Sequence, residues 1–104
     1  METAEGAFTE GFPAKLAAVR IFGPGAEPLP GFSQAVLAAL DTIDTCERLV
    51  FLKRLKGKTL EGVGRELNIS REKARQWEAR AARRLRRQTV KHVRRESLLP
   101  PVIY

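Results

Sequence analysis

A break of three residues, Asn68-Ile69-Ser70, separates two stretches with helical apolar spacing, and it limits the possible folds more than any other feature of the chain. Upstream, Thr59 opens a short helix carrying Leu60, Val63 and Leu67; downstream, Ser70 caps a long helix that runs towards Lys91 with Ala74, Trp77, Ala81 and Leu85 inward. Helices joined by so short a break cross steeply, as in a helix-turn-helix. The individual positions suit that geometry. Gly64 is small where the second helix must pass closely, Asn68 tolerates a left-handed turn conformation, and Ile69 plugs the gap between the helices.

Around this unit the pattern remains helical. Ser33 is placed to cap a helix with Val36, Leu37 and Leu40. Asp44 with Glu47 forms a capping-box pattern ahead of Leu49, Val50, Leu52 and Leu55, and Gly57 supplies a stop. No segment alternates with a period of two, so the fold class is all-α: a small helical domain with a helix-turn-helix, ending in a long basic recognition helix. Gly11-Phe12-Pro13, Gly23-Pro24-Gly25 and Pro28-Leu29-Pro30-Gly31 punctuate the start of the chain. Residues 1–31 therefore read as an acidic, Gly/Pro-rich segment or linker with one short helix over 13–22, Leu16 and Val19 on one side. Residues 32–92 read as the domain, and 93–104 as an apolar tail ending LLPPVIY, either folded back or serving as a docking peptide. Phe8, Phe12 and Phe22 pose the same choice between packing and partner contact.

The outward face of the second helix indicates what the unit binds. Ser70, Arg71, Glu72, Lys73, Arg75 and Gln76 cluster in its first two turns, where a recognition helix meets base edges. Arginine pairs with guanine, glutamine with adenine, and glutamate accepts from cytosine N4. A glutamate among arginines repels phosphate, which favours base readout over plain backbone adhesion. The blander alternative is a basic αα-hairpin with a solvated face.

Charge supports the nucleic-acid reading. Residues 1–44 carry two basic and six acidic side chains; residues 45–104 carry 17 basic, mostly arginine, and six acidic, for a total of +7 over 104 residues. A basic half of this size attracts polyanions, and arginine suits bidentate phosphate and guanine contacts. Other classes are poorly served. One cysteine, Cys46, excludes an internal disulfide or a multi-cysteine zinc site, and one histidine, His92, makes a weak metal candidate. With three serines and no clustered carboxylates, no nucleophilic triad or acid–base pair suggests itself, so the chain reads as a non-enzyme without cofactor or metal. No apolar run approaches the roughly 20 residues of a membrane span, and the acidic opening lacks a signal peptide's basic start, which implies a cytoplasmic protein.

The stretch TLEGVGRELNISREKARQWEARAARRLRR resembles the C-terminal promoter-recognition region, region 4, of the bacterial primary-type sigma factors, and CERLVFLKRL resembles the helix that precedes it there. The resemblance covers roughly residues 40–88. It implies small helices around a helix-turn-helix that binds the −35 element of double-stranded promoter DNA and the flap of the RNA polymerase β subunit. By position it implies base readout by Arg71, Glu72, Arg75 and Gln76. Backbone or activator contact falls to Thr59, Ser70, Lys73, Arg80, Arg83 and Arg84, and flap contact to Leu49, Leu52 and Leu55.

The sequence departs from the family's pattern at several positions. Ala74, Trp77 and Ala82 stand where the family has Ile, Ile and Leu, so one indole is expected to fill volume lost at small neighbours. Gly62 replaces a glutamate and weakens its helix by about 0.5–1 kcal/mol relative to alanine. A chain of this length is expected to lack the aromatic region that melts the −10 element. It would then act as a free-standing regulator in a bacterial nucleoid or encoded by a phage, as half of a split sigma factor beside another sigma-like subunit or activator, or as an interaction protein on polymerase or a sigma factor without sequence-specific DNA recognition.

Overall fold

The computed structural model describes residue 8 and residues 11–96, with side chains through Lys91. The apolar tail from Ser97 and the side chain of His92 lie outside the described residues. Five helices and no strand are formed among the described residues: α1 (Ala14–Phe22), α2 (Phe32–Leu40), α3 (Thr45–Leu55), α4 (Leu60–Leu67) and α5 (Arg71–Glu96). The all-α expectation holds. Each of α1 to α4 packs against α5, and α3 also touches α4.

The helix boundaries follow from local chemistry. The Asp44 carboxylate accepts from the backbone N–H groups of Cys46 and Glu47, capping α3. Only this half of the capping box forms: Glu47 turns inward, is buried, and lies 3.5 Å from Arg84 Nε. At the other end of α3, Gly57 N–H donates to the Arg54 carbonyl and Lys58 N–H to that of Lys53, with Gly57 at φ +91°. This is a Schellman stop, and it needs a residue at ease in the left-handed region. Asn68, at φ 57°, ends α4 in the same way, with Asn68 N–H donating to Arg65 and Ile69 N–H to Gly64.

Two expectations about the first helices are corrected. Ser33 does not cap α2; the helix starts two residues earlier than that cap would place it, at Phe32, with Gly31 in the left-handed conformation at its N-cap. In α1 the buried residues are Ala17, Ala18 and Ile21, whereas Leu16 and Val19 are half-buried. The inward stripe of α1 is set by Ala17, Ala18 and Ile21, with Leu16 packed at its edge against the large core. The long helix also continues beyond Lys91, to Glu96.

Two hydrophobic clusters hold the helices together. The larger joins α1, α2, α3 and the middle of α5 through Ile21, Phe32, Val36, Leu40, Phe51, Leu55 and Leu85. Phe8, Phe12 and Phe22 pack against it, with Phe8 and Phe12 edge to face at 5.4 Å, so for all three packing is the observed role. The smaller joins Val50 of α3, Val63 of α4 and Ala74 of α5, flanked by Leu60, Leu67, Ile69 and Trp77. It is the core of the helix-turn-helix.

Charged side chains tie the elements at their edges. Glu78 Oε2 accepts from Arg20 Nη1 of α1 at 3.0 Å and from Arg54 Nε of α3 at 3.2 Å. Arg86 donates from both Nε and Nη2 to the Ile21 carbonyl, closing the C-terminal turn of α1. The 23–31 segment connects α1 to α2 and buries Ala26 on the way.

Candidate nucleic-acid interface

The helix-turn-helix is set by close approach at Gly64. A Cβ there would lie 2.7 Å from the Ile69 carbonyl oxygen and 3.4 Å from the Ser70 carbonyl carbon, so only glycine lets the start of α5 pass over α4. The αL conformation of Asn68 then turns the chain, and Ile69 enters the small core. Trp77, half-buried, packs beside Ala74 against this core, with the Lys73 ammonium 5.5 Å from its ring centroid. The indole thus fills the space beside the small Ala74.

This frame leaves the predicted readout residues exposed together: Arg71, Glu72, Arg75 and Gln76 all lie in the first two turns of α5. In the free protein two of them satisfy each other. Arg75 donates from Nε to Glu72 Oε2 at 3.0 Å and from Nη2 to Glu72 Oε1, a bidentate pair one turn apart. The hydrogen bonds from Arg75 hold the Glu72 carboxyl below its ordinary range, and the same contact raises Arg75. Both groups therefore remain charged at any pH at which nucleic acid would be met.

Apart from Lys73, whose ammonium lies over the Trp77 ring, the predicted backbone-contacting residues divide into three groups. Thr59 Oγ1 accepts from Gly62 N–H and Ser70 Oγ from Lys73 N–H, so both hydroxyls act as N-caps and keep their own O–H free to donate outward. They stand at the starts of α4 and α5, where helix N–H groups favour anions. An open depression lined by Lys58, Thr59, Gly62, Arg65 and Glu66 lies beside Thr59. There Glu66 takes ion pairs from Lys53 and Lys58, both at 3.3 Å, and the hydrogen bonds from Lys53 and then Lys58 hold its carboxyl below the ordinary range. Arg80 and Arg83 are exposed, with no acidic partner among the described residues. Arg84 instead faces the buried Glu47.

The three leucines expected to contact polymerase occupy different depths on α3. Leu49 is 39% exposed, Leu52 is half-buried against the large core, and Leu55 is inside it. Sequence reasoning missed Glu78, Arg20, Arg54 and Arg86, which anchor α5 to its neighbours. A glutamate at an inward-facing helical position offered a signal for Glu78. The partners of Arg20 and Arg86, 58 and 65 residues away, left none.

The geometry is that of a helix-turn-helix whose second helix starts with an exposed, polar face. Residues 39–87 match the family model described as Sigma-70, region 4, so this stretch is a region 4 domain, of a family that binds DNA in transcription. No curated protein and no solved structure matches the chain. Among the described residues no helix is long and apolar enough to cross a membrane.

Proposed function

We propose that the protein is a transcription factor that reads a −35-type promoter element and docks on the flap of the RNA polymerase β subunit, acting in the cytoplasm at the nucleoid. The observation that carries this reading is the joint exposure of Arg71, Glu72, Arg75 and Gln76 on a rigid two-turn platform held by the Gly64 crossing. Arg75 offers a guanidinium fork for guanine, Glu72 an acceptor for cytosine N4, and Gln76 a paired donor and acceptor for adenine. In the free protein the Glu72–Arg75 pair orients both groups outward and offsets part of the attraction to phosphate, which favours sites where base edges satisfy each of them. Thr59 and Ser70 fix the register through phosphate. Leu49, with the flank of Leu52, presents an apolar patch on α3 for polymerase.

The test is binding to a site selected from a random duplex pool. Arg75→Ala should weaken that site by about 1–3 kcal/mol and random DNA by less. Equal losses on both would reject base readout. Capture of core polymerase by the tagged protein in nuclease-treated lysate, lost in Leu49→Asp, tests the second contact.

A further inference from the structure

A second cationic surface lies on α5 beyond the base-reading turns, where Arg80, Arg83 and Arg87 have no acidic partner among the described residues. Several basic side chains of the described residues are committed: Arg20 and Arg54 to Glu78, Lys53 and Lys58 to Glu66, Arg84 to Glu47, and Arg86 to the Ile21 carbonyl. Arg80, Arg83, Arg87 and Lys91 are exposed and have no acidic partner among the described residues. Gln76, Arg80, Arg83 and Arg87 follow one another at helical i, i+4, i+7, i+11 spacing, so these arginines continue the face that presents Gln76. Arg83, Arg87 and Lys91, with Arg86, rim an open depression of about 430 Å³ that also takes in the half-buried Val90.

The dimensions determine what such a stripe can reach. At 1.5 Å per residue, Gln76 to Arg87 spans about 16 Å and Gln76 to Lys91 about 22 Å, whereas the major groove is about 12 Å wide. With Gln76 at a base edge and α5 crossing the groove, Arg80 and Arg83 would lie over the bordering phosphates, and Arg87 and Lys91 would lie beyond the groove. We infer that Arg87 and Lys91 form a second, sequence-independent contact with the phosphate backbone of duplex DNA flanking the element read by the first two turns. The partner is the same duplex because the stripe is continuous with the reading face, and duplex DNA offers a charge every 1.7 Å or so of its axis. The inference rests on the base-reading role of α5 proposed above.

The test uses the full chain and two duplexes, a 12-bp one holding the selected element alone and a 30-bp one with the element at its centre. Because each phosphate contact contributes about 0.9 to the slope of log K against log salt, Arg87→Ala with Lys91→Ala should lower the slope on the 30-bp duplex by nearly two and leave the 12-bp slope unchanged. Both residues are exposed, so the variant should keep its helix content and melting temperature. Equal slopes for the two proteins on the longer duplex would overturn the inference while element-specific binding stands. So would an unchanged DNA slope accompanied by lost binding of poly-glutamate, which would assign the stripe to an acidic protein. Failure of the unaltered chain to bind either duplex at low salt would overturn this inference and the base-reading proposal together.

Discussion

In the first two turns of α5 the side chains that touch the rest of the protein are Ala74 and Trp77, set against the small core of Val50 and Val63, while Arg71, Glu72, Arg75 and Gln76 face outward. From Glu78 to Thr89 the same helix is buried along one side by α1, α2 and α3: Glu78 is gripped by two arginines, Ala81, Ala82 and Leu85 are in the large core, and Arg86 reaches across to α1. The second half therefore serves as the foundation and the first half as the instrument. One continuous helix, α5, joins the two.

The sharpest separation of the two halves comes from Leu85, fully buried in the large core. Leu85→Ala should cost about 2–5 kcal/mol of stability, read by urea denaturation. At a temperature where the variant is still folded, its affinity for the selected DNA site should be unchanged. A folded L85A protein that had lost that affinity would show that the halves are not separable.

Gly64 provides the opposite test. The alanine methyl would press on the Ile69 carbonyl, and backbone cannot give way as a flexible side chain does. Gly64→Ala should cost about 1–3 kcal/mol and, because the strain falls on the turn between α4 and α5, reduce DNA affinity by more than the loss of folded protein accounts for. Denaturation and binding measured on the same preparation distinguish the two effects.

The first half of α5 was far more legible in the sequence than the second. Gly64, Asn68, Ile69 and the two hydroxyl caps act through neighbours a few residues away, so their spacing alone betrays them, and the exposed readout residues follow from the same register. The foundation is built from distant pairs. Nothing in the spacing of Arg20 shows that it meets Glu78, and alanines at 17 and 18 read as filler until α1 is seen lying against the core. Glu47 misled for a related reason: its place three residues after Asp44 invites a cap, but Arg84 of α5 draws it inward. Where tertiary contact competes with a local motif, only the local motif is visible in one dimension.

A smaller effect should appear at Thr89, which is buried near the far end of the foundation with no hydrogen-bond partner for its hydroxyl among the described residues. Removing an unsatisfied buried polar group while keeping the shape should be stabilising. Thr89→Val is expected to raise stability by about 1 kcal/mol, seen as a higher urea midpoint with an unchanged slope, and to leave DNA binding alone. A destabilised variant would mean that the hydroxyl has a hydrogen-bond partner in solution.

The smallest effect concerns the instrument itself. Glu72 is held below its ordinary value of 4.5 by the hydrogen bonds from Arg75, so the folded protein gives up this proton more readily than the unfolded chain. The contribution of the pair is therefore complete above about pH 4.5 and is lost as pH falls through the lower folded value. An NMR titration of the Glu72 carboxyl carbon should give a midpoint below 4.5 that returns to it in Arg75→Ala, while Glu66, held by Lys53 and Lys58, keeps its depressed midpoint in that variant. If Glu72 stayed depressed without Arg75, the hydrogen bond from Gln76 and the charge of Arg71 would be setting its charge, and Glu72 and Arg75 would meet DNA as independent side chains.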